Sequence, residues 1–327
     1  MDKLEEANKI YLENFDGKVW FGRCIFLSWY CKVGSCKFCF RSTVKDRIKH
    51  AKHARRSKES VIVEAILAKK LGWRIEFLTG GYGIFPFEEL VDIAKMVKET
   101  YEDKIWLNLG TLSKEELEKF RPYVEGITAS IETPDRDLHH KICPDKKFED
   151  YEKMLMNAKD FKKSITIVIG LGEKEEDKEK LFELIEKYKL DRITFYALKP
   201  IKGTPYKKGP ESKYYASWIA DTRIRFPKLE IIAGTTVRRV KEVGLLLKAG
   251  ANAITKFPAT KKFNSVEANI LEDEVYNAGR KFVSTLTKLP EIDVNKEVNK
   301  LNVSDDLKEK VKILLKSYLN GMDKSKI

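Results

Sequence analysis

Along this chain, short and continuously apolar runs alternate with amphipathic stretches almost from end to end. Apolar runs of this length are typical of parallel strands that are buried on both faces. One intervening stretch carries an apolar stripe at helical spacing, formed by Leu181, Leu184, Ile185 and Tyr188. The pattern predicts eight strands, at residues 21–28, 74–79, 105–109, 126–131, 164–169, 192–197, 230–233 and 251–256.

Strands that alternate with helices form βαβ units and a parallel sheet. Eight such units favour closure into a barrel over an open sheet. We therefore predict an α/β protein with a single TIM-type (β/α)8 barrel at residues 18–289. Residues 1–17 are predicted to form a leading helix, and residues 290–327 a polar tail with one helical stretch near residues 306–319.

The unusual sequence of the chain falls on one rim of this predicted barrel. In a parallel barrel, catalytic groups lie in the loops after the carboxyl ends of the strands. Three cysteines follow the first predicted strand, and glycine-rich turns at residues 80–83 and 170–173 follow the second and fifth. Residues 199–205 follow the sixth strand. This distribution indicates a functional site at the mouth of the barrel.

The three cysteines, Cys31, Cys36 and Cys39, share a nine-residue loop. Thiolates prefer soft metals such as iron and zinc. Three ligands leave one metal position open, as a cluster that binds a cofactor requires. The alternative is a structural zinc site completed by His50 or His53. Of the five cysteines, two stand apart from this loop: one lies within the first predicted strand and is interpreted as a buried core thiol, and the other stands alone at Cys143.

The cysteine loop resembles the CxxxCxΦC signature of the radical S-adenosylmethionine (SAM) superfamily. The resemblance implies that Cys31, Cys36 and Cys39 bind a [4Fe-4S] cluster and that the aromatic Phe38 packs beside the adenine of SAM. It further implies that reductive cleavage of SAM yields a 5′-deoxyadenosyl radical, which abstracts hydrogen from a substrate. The loop departs from the signature by one residue, because four residues separate Cys31 from Cys36.

Other segments match the family in order along the chain. The turn after the second predicted strand looks like the family's GGE loop, and the segment after the fifth looks like its adenine-side GxIxGxxE region. Lys178 stands where family members often have an arginine that binds the SAM carboxylate. A lysine keeps the positive charge of that arginine but cannot form its two parallel hydrogen bonds. The cofactor-binding residues that the resemblance implies are Phe38, Gly80, Gly81, Tyr82, Ser130, Glu132, Gly170, Leu171, Lys178 and Lys199.

Matches across residues 20–285 point to the biotin synthase-like branch of this superfamily. Biotin synthase itself adds a [2Fe-2S] cluster, held by three cysteines and an arginine. Here residues 165–169 contain no cysteine, and Thr235 stands where the arginine would be. Biotin synthesis is therefore disfavoured. The expanded cysteine spacing instead resembles the Hmd-associated radical SAM proteins of methanogens, which are linked to the guanylylpyridinol cofactor of [Fe]-hydrogenase. The alternative assignments within the branch are an enzyme similar to the [FeFe]-hydrogenase maturase and one similar to methylornithine synthase.

The substrate site is expected among inward-facing residues of the later strands. A buried cation is costly unless an anionic group meets it, so the basic candidates predict a small anionic substrate. The predicted substrate residues are Asn108, Tyr196, Thr235, Arg238 and Lys256.

The chain of 327 residues carries a net charge of +13. Its densest basic stretch, residues 45–58, lacks interleaved aromatic residues for base stacking, so a solvated helix face is favoured over nucleic-acid binding. A non-catalytic zinc protein that binds nucleic acid through this stretch is the rival from another class. A basic surface also suits an acidic electron donor such as ferredoxin or flavodoxin.

No run approaches the ~20 apolar residues of a membrane span, and the acidic amino-terminal stretch is not a secretion signal, so we expect a cytoplasmic protein.

Overall fold

The computed structural model describes residues 2–80 and 83–323 of the chain. Eight parallel strands follow one another around a closed sheet, and the last strand pairs back with the first. The predicted (β/α)8 barrel is confirmed. Its strands are β1 (Lys18–Phe26), β2 (Arg74–Thr79), β3 (Ile105–Asn108), β4 (Val124–Glu132), β5 (Lys162–Ile169), β6 (Arg192–Ala197), β7 (Glu230–Gly234) and β8 (Ala253–Thr255).

Helices connect the strands and cover the outside of the sheet. Among the described residues they are α1 (Lys3–Asn14), α2 (Phe40–Val44), α3 (Lys58–Lys70), α4 (Phe87–Tyr101), α5 (Lys114–Phe120), α6 (Arg136–Ile142), α7 (Phe148–Asn157), α8 (Asp177–Tyr188), α9 (Ser212–Arg225), α10 (Val243–Lys248), α11 (Val266–Asn277), α12 (Val294–Asn299) and α13 (Asp305–Asp323). Short 3-10 turns occur at Lys45–Arg47, Ala51–Ala54 and Val237–Glu242. None of the described helices is long and apolar enough to cross a membrane.

The alternation of side chains along β6 shows how the barrel separates its two environments. Ile193 and Phe195 point outward into the apolar core between sheet and helices. Thr194 and Tyr196 point inward, where both hydroxyls donate hydrogen bonds to one buried carboxylate. Successive residues of a strand face opposite sides of the sheet, so one strand builds both the core and the polar interior.

The ends of the strands differ from prediction in several places. The predicted bounds of β2 and β6 are confirmed at both ends, whereas β1 begins three residues earlier than predicted and stops at Phe26. Beyond β1 the chain turns away: Ser28 forms an isolated antiparallel bridge with Arg55. A ninth short strand, β9 (Lys281–Phe282), pairs with the start of β1. The tail contains the short helix α12, which the pattern did not predict, and a helix α13 longer than predicted.

Arg223 is a buried cation that holds two connecting segments of the barrel together. Its side chain lies fully buried on α9. The guanidinium donates to the carbonyl of Gly250 at 2.9 and 3.0 Å and to Oδ1 of Asn252 at 2.6 Å. Oδ1 of Asn252 also accepts from the backbone N–H of Ile231 at 2.8 Å. These residues therefore hold α9 and the loop before β8 against β7, which is a role in folding rather than in chemistry.

We predict that Arg223→Met lowers the free energy of unfolding by about 3 kcal/mol, because the carbonyl of Gly250 and Oδ1 of Asn252 lose a charged donor in a buried setting. Guanidinium denaturation measures this change. The matched control is Arg225→Met on the same helix, where an exposed ion pair with Glu186 is lost at a cost of under about 1 kcal/mol. Equal losses in the two variants would contradict the assigned role.

Candidate active site at the mouth of the barrel

A cavity of about 200 Å³ opens at the carboxyl ends of the barrel strands. Its wall combines apolar side chains with a few polar groups, as sites for a cofactor or small ligand do. Residues from the loop after β1, from the strands β1 to β6 and the single residue Lys256, directly after β8, line it. Ten of the residues predicted from sequence lie on its wall: Cys31, Cys36, Cys39, Phe38, Gly80, Ser130, Glu132, Asn108, Tyr196 and Lys256.

The cysteine loop is held in place by backbone contacts at its end. The N–H of Cys39 donates to the carbonyl of Cys36 at 3.0 Å, and Cys39 is the residue that precedes α2. The N–H and hydroxyl of Ser42 both donate back to the carbonyl of Cys39. The N–H of Lys37 donates to the carbonyl of Ile142 at 2.8 Å, which ties the loop to the end of α6. Two of the three cysteines are thus fixed by local turns.

Cys143, which stood alone in the sequence, lies beside the cysteine loop. It is fully buried, in an apolar cluster against which Cys36 packs. This contact lowers the pKa of Cys36, whereas burial raises the pKa of Cys39. Cys36, Cys39 and Cys143 are all free thiols. The contact favours the thiolate form of Cys36, which is the form that binds metal.

The two histidines of the zinc alternative do not lie with the cysteine loop on the cavity wall. Within residues 2–80 and 83–323, no three His, Cys, Asp or Glu side chains are grouped around a position for one metal ion. Zinc requires donors that converge at about 2.0–2.3 Å, whereas cysteines that hold a [4Fe-4S] cluster bind separate iron atoms. His50 and His53, the possible fourth zinc ligands, are exposed and do not line the cavity. Nε of Arg41, on the cavity wall, is buried without a hydrogen-bond partner, as an anionic ligand in the cavity would require.

Polar residues at the ends of β3 and β4 form a second wall. The hydroxyl of Ser130 donates to Oδ1 of Asn108 at 2.7 Å. Glu132 forms an ion pair of 2.6 Å with Lys146, and both side chains are nearly buried. Burial alone would lower the pKa of Lys146, but the Glu132 carboxylate raises it well above its ordinary value. This lysine therefore stays charged beside the cavity.

Two wall residues hold a backbone conformation that is unusual for side chains other than glycine. Glu132, at the end of β4, has φ of +66°, and Lys256, directly after β8, has φ of +68°. Left-handed residues of this kind are costly and are concentrated at functional sites. The strain places the two side chains, one acidic and one basic, on the cavity wall.

A buried carboxylate, Glu76, forms the floor beneath the cavity and was missed in the sequence. It accepts hydrogen bonds from Tyr196 at 3.0 Å, Thr194 at 3.1 Å and Cys24 at 2.9 Å, and also from the hydroxyl of Thr255. Burial, followed by the nearby carboxylate, raises the pKa of Cys24 and of Tyr196 well above their ordinary values. Both stay protonated, and Cys24 lies in a buried apolar cluster, as predicted, while its thiol also donates to Glu76.

A strand irregularity turns Glu76 inward. The pairing of β1 with β2 passes from Arg23 opposite Ile75 to Cys24 opposite Phe77, so Glu76 is an extra residue. Such bulges re-aim side chains and are frequent next to active sites. One signal was present in the sequence: a single carboxylate in the middle of a strand predicted to be buried on both faces.

Lys256 and Tyr196 lie together above this floor. Nζ of Lys256 is 4.1 Å from the centre of the Tyr196 ring, a distance typical of a cation–π contact. No carboxylate among the described residues forms an ion pair with Lys256. The adjacent Gly234 on β7 makes room for the ring, since a Cβ there would lie 2.3 Å from Cδ1 of Tyr196.

The adenine-side segment lies behind the cavity rather than on its wall. Glu173 accepts the backbone N–H groups of Gly170 at 2.7 Å, Leu171 at 2.8 Å and Gly172 at 3.1 Å. Leu171 is buried in an apolar cluster that also contacts Phe38. The N–H groups of this turn are therefore used within the protein, and Leu171 belongs to the cluster against which Phe38 packs.

Four other predicted residues lie away from the cavity wall. Lys178 is held by Asp221 at 2.7 Å and by Glu175 on the helix side of the barrel. Thr235 is fully buried. Lys199 and Arg238 are exposed, so the expectation of a buried cation at Arg238 was wrong. Gly81 and Tyr82 lie outside the described residues, which leaves Gly80 as the part of that turn seen on the wall.

Two family models match most of the chain. The model described as Radical SAM superfamily matches residues 29–185, and the model described as Biotin and Thiamin Synthesis associated domain matches residues 194–269. The first match includes the cysteine loop, and the second includes Tyr196, Gly234 and Lys256.

Relatives in sequence extend this similarity over nearly the whole length. An uncharacterized protein of Methanocaldococcus jannaschii is 37% identical over 98% of this chain and 94% of its own. A biotin synthase of Thermotoga neapolitana is 26% identical over 78% of this chain and 91% of its own. The crystal structure of methylornithine synthase shares the fold with a TM-score of 0.67 at 23% identity, over 77% of this chain and 76% of that one. The [FeFe]-hydrogenase maturase of Carboxydothermus hydrogenoformans shares it with a TM-score of 0.65 at 13% identity, over 99% and 85%.

We predict that Gly234→Ala lowers the free energy of unfolding by about 2 kcal/mol, because the new methyl group displaces the Tyr196 ring. Urea denaturation measures the loss. In a double-mutant cycle, Tyr196→Leu should recover part of it. The matched control is Gly321→Ala in α13, where a Cβ meets nothing within 4 Å, and a gain of up to about 1 kcal/mol is expected. Strictly additive losses in the cycle would contradict the packing.

Proposed function

Because this chain belongs to the radical SAM superfamily, we propose that Cys31, Cys36 and Cys39 hold its [4Fe-4S] cluster and that the cavity beside them is its active site. Members of this superfamily use a [4Fe-4S] cluster together with SAM. The observation that carries the assignment is that all three thiols of the loop line the same cavity as Tyr196 and Lys256.

The chain's own residues would hold the two cofactors from several sides. Three thiolates leave one iron of the cluster free for the amino and carboxylate groups of SAM. Gly80 lets the backbone approach a ligand closely, and Phe38 offers an aromatic face to the adenine. Arg41 supplies the unpartnered N–H that a carboxylate can accept. Ser130 and Asn108 add a polar edge on the opposite wall.

When bound, these cofactors supply one-electron reductive cleavage of SAM to methionine and a 5′-deoxyadenosyl radical, which abstracts hydrogen from a substrate. The protein's part is to aim that chemistry and to exclude water. Glu76 fixes Tyr196 and Cys24 at the cavity floor through hydrogen bonds of 3.0 and 2.9 Å. Phe26 and Phe77 line the cavity with apolar surface.

The substrate is proposed to be a small anionic molecule. Lys256 presents an ammonium group on the cavity wall without an ion-pair partner among the described residues, and Tyr196 lies directly beneath it. Of the five predicted substrate-binding residues, we therefore keep Lys256, Tyr196 and Asn108. Thr235 and Arg238, both predicted from sequence, are left out because they do not reach the wall.

Sulfur insertion of the biotin synthase kind is not proposed, despite the similarity in sequence. β5, at Lys162–Ile169, contains no cysteine, and its cavity-facing residues are Thr166 and Val168. Among the described residues of the cavity wall, Cys24 is then the one thiol outside the cysteine loop, too few for a second cluster. A role in forming the guanylylpyridinol cofactor of [Fe]-hydrogenase remains the proposed pathway. It rests on the expanded spacing between Cys31 and Cys36.

We predict that alanine at Cys31, Cys36 or Cys39 abolishes the cluster after anaerobic reconstitution. Iron and sulfide content should fall from one [4Fe-4S] cluster per chain to background. Release of 5′-deoxyadenosine from SAM under dithionite should fall at least about a hundredfold, because catalysis depends on the cluster. The matched control is Cys24→Ser, which keeps a donor to Glu76 and lies outside the ligand set.

The same preparations separate the enzyme from the zinc-protein rival. One zinc per chain, with no 5′-deoxyadenosine from SAM, would reject the proposed function. Loss of the cluster in the Cys24→Ser variant, with retention in Cys31→Ala, would reject the ligand assignment alone.

A further inference from the structure

The surface around the cysteine loop carries a large share of the protein's positive charge. Residues 29–53 contain seven lysines and arginines and one aspartate, a net charge of +6 with histidines neutral, against +13 for the whole chain. Nearly half of the net charge thus lies in a small fraction of the sequence. A field of one sign over a confined area attracts and orients a partner of the opposite sign.

This charge is not spread along a solvated helix, as the sequence suggested. α2 ends at Val44, and the chain continues through the 3-10 turns Lys45–Arg47 and Ala51–Ala54. Arg47, Lys49 and Lys52 are exposed. None of these three forms an ion pair with a described carboxylate. The turns therefore present to solvent three cations that form no ion pair with a described carboxylate.

The basic turns are attached directly to the cysteine loop. Nζ of Lys45 donates to the carbonyl of Val33, inside the loop, at 3.1 Å. Arg41 donates to the carbonyl of Ser28 at 2.9 Å. A partner seated on the turns would therefore lie against the segment that surrounds the three thiols.

A second loop extends the same surface. Gly203, in the loop after β6, lies against Thr43, since a Cβ at Gly203 would be 3.3 Å from its Cγ2. This loop carries four more exposed lysines with no ion pair among the described residues: Lys199, Lys202, Lys207 and Lys208. We define the basic rim as Arg47, Lys49, Lys52, Lys202, Lys207 and Lys208.

Two exposed aromatic side chains lie at the cysteine loop itself. Trp29, two residues before Cys31, is 48% exposed, and Phe40, directly after Cys39, is 45% exposed. Large exposed aromatic residues next to a charged surface are typical of protein interfaces, where they form the anchors and the charges set orientation and association rate.

We propose that the basic rim, with Trp29 and Phe40, is the docking surface for an acidic protein that carries a one-electron redox group. The proposal rests on the assignment of the cluster to Cys31, Cys36 and Cys39. One electron passes from the reduced carrier to the oxidised cluster, and no atoms are exchanged. The carrier's acidic face pairs with the rim, and its redox group comes to rest over the loop that holds the cluster.

The test uses reconstituted holoenzyme and a purified acidic flavodoxin in its reduced form. The rim variant is Lys49→Glu, Lys52→Glu, Lys207→Glu. The control carries the same charge change at Lys228→Glu, Lys248→Glu, Lys281→Glu, exposed lysines near the amino-terminal ends of the strands. Stopped-flow absorbance measures the rate of cluster reduction, and anisotropy of labelled flavodoxin measures binding.

The rim variant should be reduced by flavodoxin roughly tenfold more slowly than wild type at low salt, and the control within about twofold of it. Wild type should itself slow at least about tenfold between about 20 and about 300 mM NaCl, because salt screens exposed charges. Dithionite, a small reductant, should reduce all three proteins at one rate.

Equal slowing of both variants, or a rate independent of salt, would overturn the docking surface. The proposal would also be overturned if a single-stranded oligonucleotide bound the basic rim more tightly than flavodoxin does. That result would assign the surface to nucleic acid. Failure of the proposed function is distinguishable, because it would remove the cluster signal under dithionite in wild type as well.

Discussion

The arrangement of this site depends on the parallel pairing of β1 with both β2 and β8, which closes the sheet. Closure directs the carboxyl ends of all eight strands to one rim. The cysteine loop leaves the end of β1, Lys256 follows β8, and Glu132 ends β4, so residues far apart in sequence share one cavity. In an open sheet β1 and β8 would stand at separate edges, and the thiols would not face Lys256.

Inside the closed barrel, the central problem is how to bury a carboxylate. Glu76 is fully buried and accepts hydrogen bonds from β1, β6 and β8. Such a group is costly without partners, and its hydroxyl and thiol donors offset that cost. The same bonds position Tyr196 at the floor of the cavity, so one interaction links barrel stability to the shape of the site.

Much of this arrangement could be predicted from the sequence, because hydrophobic periodicity and motif spacing depend only on residues that are near one another along the chain. Continuously apolar runs identified the strands, and the spacing of Cys31, Cys36 and Cys39 identified the loop. Tertiary contacts decided the rest. Lys178 was expected at the cavity but is paired with Asp221 on a neighbouring helix. Glu76 escaped notice because a bulge, which no periodicity shows, turns it inward. Cys143 joined Cys36 only through packing of α6 against the loop.

The proposed function requires three thiolates that leave one iron of a cluster free to bind SAM. Electron paramagnetic resonance of the dithionite-reduced holoenzyme, combined with nuclear hyperfine spectroscopy of SAM labelled with ¹⁷O in its carboxylate and ¹⁵N in its amino group, tests this most directly. We expect a reduced [4Fe-4S] signal that changes on adding SAM and shows coupling to both labels. A signal that SAM leaves unchanged, without coupling to either label, would contradict the proposed function.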